Sequence, residues 1–182
     1  MSAADPPRLL LHVCCGPCAT AVVERLQADH ELTLLWYNPN IQPAEEHERR
    51  LRAAREMAAA LGLALVELPG GEEAFAALCA GREAEPEGGE RCRLCYGLRL
   101  RQACAYAAAQ GIELVATTLT ISPHKAAATV NEVGGRMAQE AGVSFLAADF
   151  KRDGGFQRSV ELSRTLGLYR QSYCGCLCSR QR

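Results

Sequence analysis

The sequence lacks an excess of charge of either sign. Its 20 lysines and arginines and its 21 aspartates and glutamates leave a formal net charge of −1. A chain this close to neutral has no general basic field of the kind that draws nucleic acid to a whole surface. A local basic patch is still compatible with the composition, and it must consist largely of arginine, because Lys125 and Lys151 are the only lysines.

Long apolar runs are also missing. No run approaches the roughly 20 residues that a membrane-spanning helix needs, and residues 1–7 lack the basic segment, apolar stretch and cleavage site of a secretory signal. The sequence contains neither an internal repeat nor a domain linker. Its 182 residues, 48% of them hydrophobic, are enough for one domain with a substantial core. We therefore expect a cytoplasmic protein with a single domain over residues 1–182.

Cysteine is abundant, with ten residues. Eight of them fall into three groups that are far apart in the chain, at positions 14, 15 and 18, positions 92 and 95, and positions 174, 176 and 178. In a reducing compartment such residues rarely form disulfides, and close pairs from distant segments are typical of a metal site assembled by the fold. The other two, Cys79 and Cys104, lie in alanine-rich segments and are interpreted as small core residues.

Strand and helix patterns alternate along the chain. Apolar runs bounded by turn residues predict five strands, at 9–13, 32–37, 64–68, 112–118 and 145–148. Such alternation predicts a three-layer α/β fold, in which helices cover both faces of a five-stranded, mostly parallel sheet. Ligands of these sheets bind at the carboxyl ends of the strands, where the segments CCGPC, YNPN, TTLTISPHK and DFKRDGG occur. Cys92 and Cys95 fall in the first turn of a helix, and the cysteine-rich tail must fold back to join them.

Three chemistries fit these thiols. The tetrapeptide Cys15-Gly16-Pro17-Cys18 is that of the thioredoxin active site, in which Cys15 would attack a disulfide and Cys18 would resolve it. Alternatively, the 92/95 pair and the 174/176 pair could form a closed structural zinc site. Neither reading uses all the thiols. An iron–sulfur cluster with four thiolate ligands would leave others for a second metal and so accounts for the surplus.

Five segments carry a family resemblance. In chain order and over nearly the whole sequence, LLHVCCGPCAT, YNPNIQPAEEHERR, RCRLCYGLRL, TTLTISPHK and GLYRQSYCGCLCS resemble the cobalamin-independent epoxyqueuosine reductases. The resemblance implies a PP-loop or HUP-like (adenine nucleotide alpha hydrolase-like) sheet. It also implies reduction of the epoxide of epoxyqueuosine, at the wobble position of tRNA, to the cyclopentene of queuosine. The cofactors that it implies are a [4Fe–4S] cluster and an adjacent mononuclear iron.

The resemblance also suggests metal ligands. They would be Cys14, Cys15, Cys92, Cys95, Cys174 and Cys176. Some members of the family have aspartate at the position of Cys18, so this residue would be a ligand of the second iron or a nearby thiol. Cys178 is treated as incidental. The motifs do not divide the thiols between the cluster and the second iron.

Deoxygenation of an epoxide requires two electrons and two protons. The candidate proton donors in the chain are Asp149, His124 and Tyr37, beside a metal-bound water. The residues predicted to bind the substrate are Asn38, Asn40, Arg49, Thr118, Ser122, Lys125, Phe150 and Lys151. Among these, the cations and the arginines around Cys92 would bind tRNA phosphates, while Phe150 or Tyr37 would stack on the extruded base. Since no glycine fingerprint for a flavin or nicotinamide is present, we expect an external electron donor.

Overall fold

A computed structural model describes residues 5–180, over which the chain forms five strands and seven α-helices. The strands are β1 Arg8–His12, β2 Glu31–Trp36, β3 Leu65–Glu67, β4 Leu114–Thr117 and β5 Ser144–Phe145. The helices are α1 Gly16–Leu26, α2 Ala44–Ala60, α3 Glu72–Cys79, α4 Glu90–Ala109, α5 Ala127–Ala141, α6 Gly155–Thr165 and α7 Leu177–Arg180. Residues 1–4 and 181–182, which belong to the predicted domain, lie outside the described residues, as does most of the stretch 1–7 in which no signal was found.

The strands form one sheet in the order β3-β2-β1-β4-β5. All neighbouring strands are parallel, and β1 is central because it pairs with both β2 and β4. Leu9, Leu10 and Leu11 of β1 are fully buried, as expected for a strand that helices cover on both faces. The predicted three-layer α/β class is confirmed, with a fully parallel sheet.

The core is divided by the sheet into two layers. Alternate residues of a strand point to opposite faces, so Leu9 and Leu11 pack with residues of α1 and α2 while Leu10 packs with residues of α4 and α5. Helix α1 lies between α2 and α6, and α4 packs against α5. Cys104 is fully buried in the second layer, as its alanine-rich surroundings predicted. Among the described helices, none is both long and apolar enough to span a membrane.

Three strands, β3, β4 and β5, are shorter than the sequence predicted. The chain leaves β4 at Thr117 and enters a 3-10 helix, Thr118–Ile121. Strand β5 covers two residues rather than 145–148, although the backbone N–H of Leu146 still donates to the carbonyl of Val115 at 2.8 Å. A strand exists only where a neighbour pairs with it, and β5 pairs with β4 only at Ser144 and Phe145, opposite Leu114 and Val115.

Candidate metal centre

The loop between β1 and α1 brings three thiols together. Cys15 is the N-cap of α1 and its sulfur accepts a hydrogen bond from the backbone N–H of Cys18 at 3.4 Å, which satisfies one free donor of the first helical turn. The helix approaches α2 so closely here that a side chain at Gly16 would overlap the backbone oxygen of Ala53. Glycine is therefore required at this position for α1 to begin where it does.

The sulfur atoms of Cys14, Cys15 and Cys18 all lie within 4.8 Å of one another. Over residues 5–180 no other group of three or more histidine, cysteine or acidic side chains converges in this way. Cys15 and Cys18 are buried and Cys14 is half-buried. Three clustered thiols of this kind are a donor set for thiophilic metals.

The three thiols ionise unequally. Hydrogen bonds from Cys15 and Cys18 hold the pKa of the Cys14 thiol well below its usual range, against the opposing effect of burial, and the charge of Arg99 lowers it further. Burial and its hydrogen bond to Cys14 raise the pKa of Cys15 to about 12, and its hydrogen bond to Cys14 is the largest of the effects that raise the pKa of Cys18. In the metal-free protein Cys14 is therefore the first of the three to become a thiolate.

Polar side chains from three other segments hold this loop in place. The Asn38 amide donates to the carbonyl of Val13 at 2.9 Å, and the Arg99 guanidinium of α4 donates to the Asn38 carbonyl oxygen at 2.5 Å. On the other side, the Thr118 hydroxyl donates to the Cys14 sulfur at 3.1 Å and accepts from the Cys14 backbone N–H at 3.0 Å. Arg99 is 2% exposed. These contacts fix Cys14 from α4 and from the segments that follow β2 and β4.

The remaining predicted ligands form a second, looser group. Cys92 and Cys95 lie one turn apart at the start of α4. Burial raises the pKa of both thiols, to about 12 for Cys95, and the nearby charge of Cys174 raises each further. Cys176 packs with Cys95 and Phe75 in a small apolar cluster. The structure thus brings the tail thiols to α4 but does not place them within the tight group at the β1–α1 loop.

The tail is held by a buried arginine of α2. The Arg50 guanidinium donates to the backbone carbonyls of Cys174 and Tyr173, each at 3.1 Å, and to the Glu46 carboxylate at 2.7 Å. Its side chain is 2% exposed. Gly175 adopts a φ of +127°, and a Cβ there would lie 3.1 Å from Arg50. The glycine of the Tyr-Cys-Gly-Cys segment therefore permits both the backbone conformation and the close approach to α2.

A cavity of about 290 Å³, called here the thiol cavity, opens beside these residues. Its lining includes Cys14, Cys18, Cys174, Arg99, Lys125 and Gln171. The Lys125 ammonium lies 3.5 Å from the Cys174 sulfur, and the Gln171 amide donates to the Cys15 sulfur at 3.0 Å. Two buried atoms of the lining, Nε of Arg99 and Oε1 of Gln171, have no hydrogen-bond partner among residues 5–180. The cavity thus combines clustered sulfur, positive charge and unsatisfied polar groups.

The three predicted proton donors lie in different places. His124 lines the thiol cavity. The Asp149 carboxylate pairs with Lys151 at 2.8 Å, and this contact outweighs burial and lowers the pKa of Asp149, so the group is ionised at neutral pH. Tyr37 is buried with its hydroxyl beside Gly71. Of the three, His124 alone lines the thiol cavity.

The predicted substrate-binding residues are also divided. Ser122 and Lys125 line the thiol cavity, whereas Asn38 and Thr118 are buried and support Cys14. Asn40 is 1% exposed and lies beside the tail at Gly175. Phe150 is packed in the core at 6% exposure, Lys151 is paired with Asp149, and Arg49 lines a separate cavity.

The arginines around Cys92 have other roles than the predicted phosphate contact. Arg91 is 2% exposed and donates to the backbone carbonyls of Arg82, Glu83 and Glu85, which orders the loop before α4. Arg93 and Arg101 are bridged to acidic residues of α5. In this structure these arginines therefore order a loop and bridge α4 to α5.

Sequence reasoning missed the roles of Arg50 and Gln171. A signal for Arg50 was present, because Glu46 lies four residues before it and such pairs face each other on a helix. Gln171 stands three residues before Cys174 in the tail, but nothing local indicated that its amide would reach the first thiol group. Arg99 was predicted only as one of the arginines around Cys92 that would bind tRNA phosphates.

Comparison with known proteins agrees with these observations. The family model described as Epoxyqueuosine reductase QueH matches residues 9–182. A protein of that name from Streptococcus pyogenes serotype M1 is 36% identical over 177 residues, which cover 94% of this chain and 69% of that protein. Another, from Dehalococcoides mccartyi, is 37% identical over 174 residues, which cover 95% of this chain and 92% of that protein.

A solved structure supports the fold independently. The U34-tRNA thiolase NcsA from Methanococcus maripaludis, solved with its [4Fe-4S] cluster, superposes with a TM-score of 0.56 at 11% sequence identity, covering 93% of this chain and 60% of that one. At this identity the likeness shows the fold alone. The family match, by contrast, extends over nearly the whole sequence and includes each cysteine group. The chain belongs to the epoxyqueuosine reductase QueH family.

Proposed function

We propose that this chain, an oxidoreductase of the epoxyqueuosine reductase family, acts on the wobble nucleotide of tRNA in the cytoplasm and binds it in the thiol cavity. One observation carries the proposal: the three converging thiols at the carboxyl end of β1 border a cavity with cationic and polar walls. Substrates of parallel α/β sheets bind at this edge. The tail, as part of the same domain, would supply one wall of the substrate site through Gln171, Tyr173 and Cys174.

The residues present fit an iron–sulfur group. Thiolates are the usual ligands of such clusters, and Cys14, Cys15 and Cys18 already lie within 4.8 Å of one another. The buried Nε of Arg99 lacks a partner among residues 5–180, and a buried charged donor of this kind is expected to face an anionic group. A thiolate-bound cluster would supply that group.

We propose that the ligand set comprises the six thiols implied by the motifs, Cys14, Cys15, Cys92, Cys95, Cys174 and Cys176. Cys18, which contacts both Cys14 and Cys15, would serve the additional iron. When bound, the cluster and the iron would supply single electrons, from an external donor, and a Lewis acid for the departing oxygen. The nearness of Cys174 to Cys92 and Cys95 supports this set.

The protein's own groups would handle protons and position. Conversion of an epoxide to an alkene consumes two electrons and two protons and releases the oxygen as water. His124 lines the cavity and is the proton donor that the geometry favours, since Asp149 is ionised and paired while Tyr37 points toward Gly71. Ser122 and Lys125 would orient the substrate, and Thr118 and Asn38 would hold Cys14.

The geometry does not favour the two alternatives. A thioredoxin-like attack requires an accessible thiol with a lowered pKa, whereas Cys15 is 1% exposed and its pKa is raised to about 12. A closed zinc site requires four converging thiols, and positions 92, 95, 174 and 176 do not form such a group over residues 5–180.

The decisive experiment uses protein purified without oxygen. It is incubated with a strong reductant and tRNA that contains epoxyqueuosine. The tRNA is then digested, and the masses of the released nucleosides are measured by mass spectrometry. The proposal predicts loss of one oxygen from epoxyqueuosine, abolished by Cys14→Ser together with the brown colour of the protein. Cys104→Ala, which changes a thiol in the core remote from the site, should keep both. Rapid reduction of insulin disulfides with untouched tRNA, or a colourless protein with one zinc per chain, would contradict the proposal.

A further inference from the structure

A second cavity lies directly beside the thiol cavity. It has a volume of about 450 Å³ and shares Ser172, Tyr173 and Ser179 with the first. Its other walls come from α2 and the tail, notably Arg49, Tyr169 and Arg180. The cavity is called here the arginine–tyrosine groove. Because Tyr173 lines both spaces, a molecule bound in one is adjacent to a molecule bound in the other.

Each aromatic ring of the groove carries an arginine. The Arg49 guanidinium lies 5.1 Å from the centre of the Tyr169 ring, and that of Arg180 lies 5.6 Å from the centre of the Tyr173 ring. The side chain of Arg49 is 58% exposed, so a ligand can reach it from solvent. Guanidinium groups bind phosphates through paired N–H donors, and their flat faces and those of tyrosines stack on unpaired bases.

The acidic residues of the groove do not cancel this charge. Glu46 is buried and is satisfied by Arg50 at 2.7 Å and by the Tyr169 hydroxyl at 2.9 Å. Its nearest approach to Arg49 is 3.9 Å. Glu45 is the other carboxylate of the lining, against the two cations Arg49 and Arg180. The groove therefore retains a positive side toward solvent.

The groove is also fixed relative to the thiols. Arg50 lies under Tyr173, 4.8 Å from the centre of its ring, and donates to the carbonyls of Tyr173 and Cys174. The residue that separates the two cavities is thus tied to the same backbone that carries Cys174. In a ligand that occupies both cavities, the part bound in the groove would lie at a constant distance from the part bound beside the thiols.

We propose that the arginine–tyrosine groove binds the nucleotide next to the wobble nucleotide, with a phosphodiester on Arg49 and Arg180 and a base against Tyr169. The inference rests on the proposed function, because the wobble nucleotide must occupy the thiol cavity. In this proposal the groove binds single-stranded RNA, so the enzyme recognises the anticodon loop around the wobble nucleotide. A free nucleoside would bind without the contacts of the groove.

The test compares Arg49→Gln with Arg52→Gln in the full-length, anaerobically purified protein. Both arginines are exposed residues of α2, but Arg52 lines neither cavity. Binding of a fluorescent anticodon stem–loop is measured by anisotropy over a series of salt concentrations. Loss of one phosphate contact on a single strand should weaken binding several-fold and reduce the slope of log K against log salt by about 0.7. Arg52→Gln should leave both quantities unchanged. Equal effects of the two variants, or none, would overturn the proposal.

A second pair of variants tests the stacking contact. Tyr169→Phe keeps the ring and should retain most of the stem–loop affinity, whereas Tyr169→Leu should lose about fivefold or more. Circular dichroism melts verify that both variants fold. In turnover, Arg49→Gln should raise KM for tRNA, whereas Arg52→Gln should leave it unchanged. Stem–loop binding is measured in the absence of the reaction. Failure of the protein to deoxygenate epoxyqueuosine would therefore contradict the proposed function without deciding whether the groove binds RNA.

Discussion

Replacement of Arg50 by methionine tests how the tail is attached. The guanidinium is 2% exposed and satisfies three partners at once: the Glu46 carboxylate, the carbonyl of Tyr173 and the carbonyl of Cys174. Methionine matches the aliphatic stem of arginine but lacks the guanidinium and donates no hydrogen bond. The change therefore removes the charge and its three hydrogen-bonded contacts while it keeps the apolar stem.

The size of the effect follows from the buried pair. Loss of one partner from a buried ion pair costs about 3–5 kcal/mol, because the other charge is left uncompensated. Glu46 retains the Tyr169 hydroxyl as a donor, so we expect a loss of about 3 kcal/mol in the free energy of unfolding. For a chain of this length the melting temperature should then fall by roughly 6–12 °C. Adding Glu46→Gln should recover part of the loss, since no buried carboxylate then remains unpaired.

The assay is urea unfolding of the reduced, metal-free protein, followed by far-UV circular dichroism. Arg52→Met on the same helix is the control and should change the free energy of unfolding by about 0.5 kcal/mol or less. Iron content after anaerobic reconstitution gives a second measure, because release of the tail displaces Cys174. If Arg50→Met unfolds within about 1 kcal/mol of Arg52→Met, the reasoning about a buried anchor is refuted.

Three further outcomes follow from the geometry. Gly175→Ala should destabilise the protein by more than the roughly 1–2 kcal/mol expected from its positive φ, because the added Cβ would meet packed neighbours. Gly142 also has a positive φ but open space around it, so Gly142→Ala should cost only the free energy of the unfavourable backbone conformation. Urea unfolding compares the two variants. In the metal-free protein, iodoacetamide should label Cys14 at a lower pH than Cys92, since the pKa of the first thiol is lowered and that of the second is raised. Peptide mass spectrometry after labelling at a series of pH values measures the labelled fraction of each cysteine. The same dependence on pH for both cysteines would contradict the prediction. Asp149→Asn should reduce the free energy of unfolding at pH 7 by about 1 kcal/mol or less. Because the pKa of this carboxyl is lowered in the folded protein, the difference from the wild type should shrink as the pH falls below about 4 and vanish at lower pH. A difference that persists in acid would show that the carboxylate charge is not its source.

Much of the fold could be predicted because its signals are local. Buried parallel strands appear in the sequence as short apolar runs such as residues 9–13, and helix ends are marked by proline, glycine and acidic residues. The same patterns placed the CCGPC and TTLTISPHK segments at one edge of the sheet. Strand length was less predictable, since β5 depends on where β4 stops pairing and no local pattern records that event.

The sequence by itself determined the family, the parallel sheet and the cysteine groups, because motifs and periodicities are properties of neighbouring residues. The tertiary structure decided which of those groups converge: only the thiols at 14, 15 and 18 form a tight set over the described residues. It also decided which arginines are buried. Arg50 and Arg99 look like solvated cations in the sequence, yet each is desolvated by partners that lie more than 60 residues away, in the tail and beside β2. A charged side chain is buried only where other segments donate or accept its hydrogen bonds, and the fold determines which segments lie close enough to do so.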